Sequence, residues 1–241
     1  MTDPSLAFPG ATAVTGLDVY DWSGPDGEPG GSAHVHLLCT EAYIVVSGSG
    51  RLQTLGSAGF TETPLAPADV VWFTPGTIHR LVNEDGLKIL VVMQNAGLPE
   101  AGDAVLTFPP EILADRERYA AAASLADERH VYASDEAAAR RRKDLAIEGF
   151  GELRRRVEEH GPGELDAFYD AAHKLVAPKL EAWESQLSAG AAAVADLAAK
   201  RLAALRGGDY SHLGAAAVVA DAPSGPKLGM CGRLTTYDGS L

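Results

Sequence analysis

Between residues 33 and 95, short runs rich in Val, Ile, Leu and aromatics alternate with clusters of turn residues. The runs at residues 42–47, 51–55, 70–73, 80–82 and 87–94 have the length and composition of strands, and residues 12–20 offer an earlier one. Gly48-Ser49-Gly50 fits a hairpin turn between the first two. Residues 24–31, rich in Gly, Pro and acidic side chains, read as a loop. Many short strands separated by Gly/Pro turns favour a sandwich or a barrel.

Past Pro110 the period changes. Ala, Leu, Glu and Arg dominate to about residue 206, all strong helix formers, and Pro110 suits a first helical position. Leu165, Phe168, Tyr169, Ala172, Leu175, Val176, Leu180, Trp183 and Leu187 form an i, i+3, i+4 stripe, hence an amphipathic helix that Pro178 should kink or divide. Breaks are expected at residues 149–151, at Gly161-Pro162-Gly163 and at Gly207-Gly208, giving three or four helices. Residues 215–220 and 234–237 are strand-like, and either rejoin the sheet or stay loose. The expected class is α+β, with a β-sandwich or barrel over residues 1–110 and a mainly α-helical region over residues 111–241.

Charge supports that division. Residues 1–110 carry 12 acidic and 3 basic side chains, against 21 and 17 in residues 111–241, and the chain's net charge is −13. So acidic a chain repels polyphosphate backbones, so no nucleic-acid partner is expected. No apolar run approaches the ~20 residues of a membrane span, and Met1-Thr2-Asp3-Pro4 lacks the basic and apolar parts of a secretory signal. Two cysteines, Cys39 and Cys231, make no disulfide framework; a cytoplasmic protein is expected. The basic runs at residues 140–143 and 154–156 sit among acidic residues on predicted helices and read as solvated, salt-bridged faces. His130, His160, His173 and His212 have no partner at ligand spacing and read as structural or surface residues.

The chemistry is concentrated in His34, His36, Glu41 and His79, side chains that bind first-row divalent metals. Two apart on a strand, His34 and His36 share a face. The odd step from His36 to Glu41 requires a turn or strand change in residues 37–40, with Glu41 opening the next strand. His79 follows the turn Pro75-Gly76-Thr77-Ile78, so three strand ends converge on one point.

At these residues the chain resembles the cupin superfamily. The first motif reads His34-x-His36-x4-Glu41-x6-Gly48. The second runs from Ala68 through Pro75-Gly76-Thr77-Ile78-His79 to Asn83. Ala68 stands where the family usually has Gly, and Thr74 where it usually has Pro; both are turn-shaping positions, not ligands. The resemblance covers roughly residues 12–110 and implies a jelly-roll barrel, with His34, His36, Glu41 and His79 as ligands of a divalent transition metal: Fe, Mn, Ni, Co or Zn. Asn83, four residues beyond His79, is a candidate for orienting the ligands, its alternative role a turn or barrel-mouth hydrogen bond. Tyr43, inward by alternation from Glu41, would bind substrate or serve as an acid, or simply pack. Trp72, Gln53 and Gln94 are further candidates for the pocket wall.

Three functions follow: a metal-dependent dioxygenase-type enzyme acting on a small oxygenated metabolite, a sugar-type isomerase or epimerase using the same site, and a non-enzymatic small-ligand-binding barrel. The first is preferred, because isomerisation usually needs a further acid/base residue and the barrel half has one lysine, Lys88. A homodimer is expected by resemblance, with a small-molecule substrate or ligand as the other partner.

Overall fold

A computed structural model describes residues 4–125 and 136–237, and His130 lies outside them. Among the described residues nine strands form one sheet wrapped round a shared interior: β1 (Ala13–Val19), β2 (His34–His36), β3 (Glu41–Gly56), β4 (Gly59–Leu65), β5 (Val70–Phe73), β6 (Ile78–Met93), β7 (Ala104–Leu106), β8 (Lys227–Leu228) and β9 (Gly232–Thr236). The order is β4-β3-β6-β1-β9-β8, with β5 added beside β3 and β2 bridging β6 and β7; every pairing is antiparallel.

β3 and β6 are each 16 residues long and pair from Glu41↔Met93 to Leu55↔Ile78. Gly48-Ser49-Gly50 is therefore not a hairpin turn but part of one continuous strand, whose register slips between Val45 and Gly50. Gly48 has φ +77°, and a Cβ there would strike the carbonyls of Asp85 and Gly86; one on Gly50 would strike the carbonyl of Val82. Such bulges bend a strand without ending it. Likewise residues 80–82 and 87–94, expected as separate strands, belong to one strand that passes through Gly86 at φ +55°. The actual hairpin pairs Gly56 with Gly59 across Ser57-Ala58.

Six helices follow in the described residues: α1 (Pro110–Leu113), α2 (Arg116–Ala123), α3 (Glu136–His160), α4 (Leu165–Val176), α5 (Leu180–Leu187) and α6 (Ala193–Arg206). Pro178 sits in a 3-10 turn dividing α4 from α5, and the apolar stripe around it is buried at Leu165, Phe168, Ala172, Leu175, Val176 and Trp183. The break expected at residues 149–151 is absent. A Cβ on Gly149 would lie 2.6 Å from the carbonyl carbon of Phe108 and closer still to Thr107 O. Gly149 thus lets α3 press against the segment leaving β7. The first basic run also departs from expectation. Arg140 pairs with Glu136 at the surface, but Lys143 is fully buried, its Nζ donating to Trp22 O and Ser23 O, and Arg142 donates to Gly229 O. The run at residues 154–156 is salt-bridged as expected, Arg154 with Glu158 and Arg155 with Glu159.

The end of the chain returns to the barrel. β9 pairs with β1 from Thr236↔Thr15 to Gly232↔Val19, while residues 215–220 form no strand. Barrel residues such as Tyr43, Leu81 and Ile89 share one apolar cluster with Phe150, Leu153, Phe168 and Trp183 of the helices. The helices thus bury their stripe on their own barrel, as an amphipathic face requires. No helix among the described residues is long and apolar enough to cross a membrane.

Candidate metal centre

His34 and His36 lie two apart on β2, so both point inward, 4% and 7% exposed. The turn after His36 reverses the parity, and Glu41 opens β3 facing the same interior at 5% exposure. His79, fully buried, stands on β6 opposite His34. One ligand-type atom from each of the four lies within 4.8 Å of the others. His160, His173 and His212 join no such cluster among the described residues.

Hydrogen-bond partners assign the imidazole tautomers. His34 Nδ1 lies 3.1 Å from Ser32 O and His79 Nδ1 lies 3.0 Å from Thr77 O. His36 Nδ1 lies 3.1 Å from Asp103 Oδ2. Carbonyl and carboxylate oxygens only accept, so all three Nδ1 atoms carry the proton and donate. Each neutral ring then turns an Nε2 lone pair toward the centre. Glu41 Oε2 lies 3.1 Å from His79 Nε2 and 3.4 Å from His36 Nε2, and both Glu41 Oε2 and His79 Nε2 are buried without a hydrogen-bond partner. Buried acceptors facing one another are costly unless a cation lies between them. Protons or a metal ion can fill that role, and imidazole with carboxylate is a donor set for divalent transition metals.

The electrostatics agree. Burial would raise the Glu41 pKa, but His79, through its charge and a hydrogen bond when protonated, and the charges of His36 and His34 bring it down to about 2. Burial holds His34 well below its ordinary value, helped by the charges of His79 and His36. Burial also opposes charge on His36, yet the bond to Asp103 and the charges of Glu41 and Asp103 outweigh it and raise that pKa. Glu41 is therefore a carboxylate, poised to hold a cation.

Tyr43 faces this interior. It is 1% exposed, its ring centroid 6.3 Å from that of His79 and 5.3 Å from that of Phe73. Burial pushes its phenol pKa well above the ordinary value, with Glu41 adding to the shift through charge and hydrogen bonding. Asn83 does not orient the ligands. Its amide donates to Val19 O at 2.9 Å, its carbonyl accepts from Leu87 N at 2.9 Å, and it ties β6 to the end of β1. Trp72 is 70% exposed and cannot line a pocket; alternation on β5 puts Phe73 inward in its place. Gln53 donates to Glu62, and Gln94 accepts from Thr40 N on the exposed side, so neither reaches the centre.

Two residues escape a reading of the sequence. Asp103 is fully buried behind His36. Cys231, just before β9, places Sγ 3.9 Å from His34 Nδ1, and burial raises its pKa to about 12, so it packs as a thiol. Neither belongs to a motif, and both arrive from the far side of a long chain excursion.

Residues 22–93 match the family model described as Cupin domain. No curated protein matches the sequence. Among solved structures, an uncharacterized conserved protein with a double-stranded beta-helix domain from Klebsiella pneumoniae is 18% identical, over 34% of this chain and 66% of its own, at a TM-score of 0.29. The Streptomyces nucleoside dehydratase Pac13 is 17% identical over 39% of this chain and 62% of its own, at 0.28. A cupin protein from Bacteroides fragilis is 19% identical over 36% and 65%, at 0.27. The chain spans less than two thirds of the length of each of these structures. All four ligand-type residues lie inside the matched segment and gather at the ends of its strands, so residues 22–93 carry a cupin domain.

Proposed function

We propose that this chain is a metal-dependent enzyme in which His34, His36, Glu41 and His79 hold a divalent transition metal, and that it carries out a dioxygenase-type reaction on a small oxygenated metabolite. The observation that supports this best is the ring of three Nε2 lone pairs and one carboxylate in a buried interior, with every Nδ1 proton already committed. Four protein donors on an ion that prefers six leave about two positions for substrate. A bound ion would supply Lewis acidity toward an oxygenated substrate, and redox chemistry if it is iron. The chain's own residues do the rest. Burial favours the neutral phenol of Tyr43, which suits it to donating a hydrogen bond to substrate rather than to taking a proton. Tyr43 and Phe73 wall the side beside His79 and exclude water there. Lys88, the lysine of the barrel half, pairs with Asp18 at the surface. An isomerase must take a proton from one carbon and return it to another, and among the described residues neither Tyr43 nor Phe73 of this wall is a spare base for that. Oxygenation is therefore the better reading.

Metal analysis of protein purified without added metal or chelator tests it, with His36→Ala beside the wild type. About one Fe, Mn, Ni, Co or Zn per chain, lost in the variant, is the expected result, and oxygen uptake with candidate chelating substrates follows for iron. No metal in either protein, and none taken up on titration, would overturn the enzyme reading in favour of a ligand-binding barrel.

We also propose a homodimer through the outer face of the sheet. Trp72 and Val70 are 70% and 53% exposed, and they lie in rows with Ala42, Val92, Ile44 and Leu90 across three strands. Two copies of a chain with net charge −13 repel one another, and a meeting face without charge adds no like-charge contact to that repulsion; these rows carry no charge. Sedimentation of wild type should show a dimer, and of Trp72→Lys a monomer; a monomeric wild type refutes the pairing.

A further inference from the structure

His34 and His79 each donate to a main-chain carbonyl two residues before them, a local arrangement any strand end can supply. His36 differs: its Nδ1–H goes to a carboxylate 67 residues away. Asp103 is fully buried at the end of the turn Pro99–Asp103, immediately before β7. Its Oδ2 accepts from His36 Nδ1 and, at 3.2 Å, from Cys39 N. Its Oδ1 accepts from Leu37 N at 3.0 Å and Leu38 N at 2.8 Å. One carboxylate thus fixes the ring of one ligand and also the backbone turn that carries the chain from His36 to Glu41. No water is needed to satisfy it, because four donors occupy its lone pairs.

The turn bearing Asp103 is itself held from the helical side. Trp183 Nε1 on α5 donates to Ala101 O at 3.3 Å, and Lys179 Nζ, just before α5, donates to Gly102 O at 3.3 Å. Trp183 is 3% exposed and part of the common core. A continuous path therefore runs from α5 through residues 101–103 to His36.

We infer that Asp103 is a positioning residue for His36, and that helix α5 braces the metal centre through it. The inference rests on the metal reading above. A carboxylate behind a ligating imidazole holds the ring's tautomer and orientation and raises its basicity as a donor. This gives the helical region a task at the centre without contributing a ligand.

The test is titration of Co(II) into the metal-free full chain for wild type, Asp103→Asn and Trp183→Phe, reading the dissociation constant, the visible d–d absorption and the metal-free melting temperature. Asp103→Asn should weaken binding about 10–100-fold and change the d–d bands. Trp183→Phe keeps an aromatic ring but removes the N–H donor and part of the indole's volume, and it should weaken binding about threefold. A residue that merely holds the fold would lower the metal-free melting temperature and leave the dissociation constant and spectrum of the folded protein unchanged, and that pattern overturns the inference. If Asp103→Asn fails to fold, Trp183→Phe decides, together with side-chain 15N shifts of Zn-loaded wild type. His36 must then show a protonated Nδ1 and a metal-bound Nε2, and the reverse assignment overturns the role of Asp103. Wild type that binds no Co(II) at all refutes the metal reading itself, a result distinct from equal binding by all three proteins.

Discussion

Gly149 and Gly151 stand two residues apart in α3, and replacing each with Ala should move stability in opposite directions. On helix propensity alone, either change stabilises the chain by up to about 1 kcal/mol. Gly151 faces open space, with nothing near its Cβ position, so Gly151→Ala should realise that gain. At Gly149 the new methyl would sit 2.6 Å from Phe108 C and 2.8 Å from Pro109 N. Packed carbon contacts lie about 3.5–4.0 Å apart, so α3 must withdraw by roughly 1 Å. The obstacle is backbone, which no rotamer change can relieve. Overpacking of this kind costs about 1–3 kcal/mol. The withdrawal also stretches the 2.7 Å bond from Thr107 Oγ1 to Ala146 O, a buried bond contributing about 1 kcal/mol. Less the propensity gain, Gly149→Ala should destabilise by about 1–3 kcal/mol. For a chain of this size that lowers Tm by roughly 2–12 °C, while Gly151→Ala raises it by up to about 4 °C. Thermal melts followed by circular dichroism read both. A Gly149→Ala melting point at or above that of wild type would refute the close approach of α3 to Thr107 and Phe108.

Ala68 occupies the left-handed region at φ +73°. Ala68→Gly relieves about 1–2 kcal/mol of strain and returns about 0.4–1 kcal/mol of unfolded-state entropy, so urea unfolding should show a gain of about 0.5–1 kcal/mol. Lys143→Ala removes a buried cation that holds two carbonyls and pairs with Asp144, and it should cost about 3–5 kcal/mol in the same assay; a loss below about 1 kcal/mol would show that the amine is not buried. Glu41, with a folded pKa of about 2 against an ordinary 4.5, contributes stability to the metal-free chain that is present above pH 4.5 and is lost as pH falls toward 2. The stability gap between wild type and Glu41→Gln should therefore close over that window, and a gap independent of pH would contradict a depressed Glu41.

The ligands can be read from the sequence because their placement is local. A period of two puts His34 and His36 on one face, and an odd step to Glu41 demands the turn that the fold provides. The stripe through Leu165, Phe168 and Leu175 is legible for the same reason, at a period near 3.6. Sequence and structure part where one residue type serves two physical purposes. Glycine marks a turn when the chain needs positive φ there, but it equally marks a place where another backbone comes too close for a Cβ. Gly48 and Gly50 combine bulge and close approach inside one strand, and Gly149 is close approach alone inside one helix. Lys143 departs from the solvated face expected of it because a basic run alternates faces on a helix, and burial selects some members and exposes others.

Asp103 is invisible in the sequence for a deeper reason. Its partners are three backbone N–H groups and an imidazole more than 60 residues away, and backbone groups leave no mark on sequence. The motif names the atoms that face the metal, whereas the atoms that hold those atoms still are chosen by tertiary contact. In this chain that support comes from outside the matched segment: Asp103 after it, Trp183 on α5, and Cys231 with β9 at the far end, closing against His34 and β1. A chain truncated after residue 110 would keep every ligand and Asp103. It would lose the α5 contacts to residues 101–102, the β9 partner of β1 and the helical half of the common core, so its centre would keep its donors without the frame that aims them.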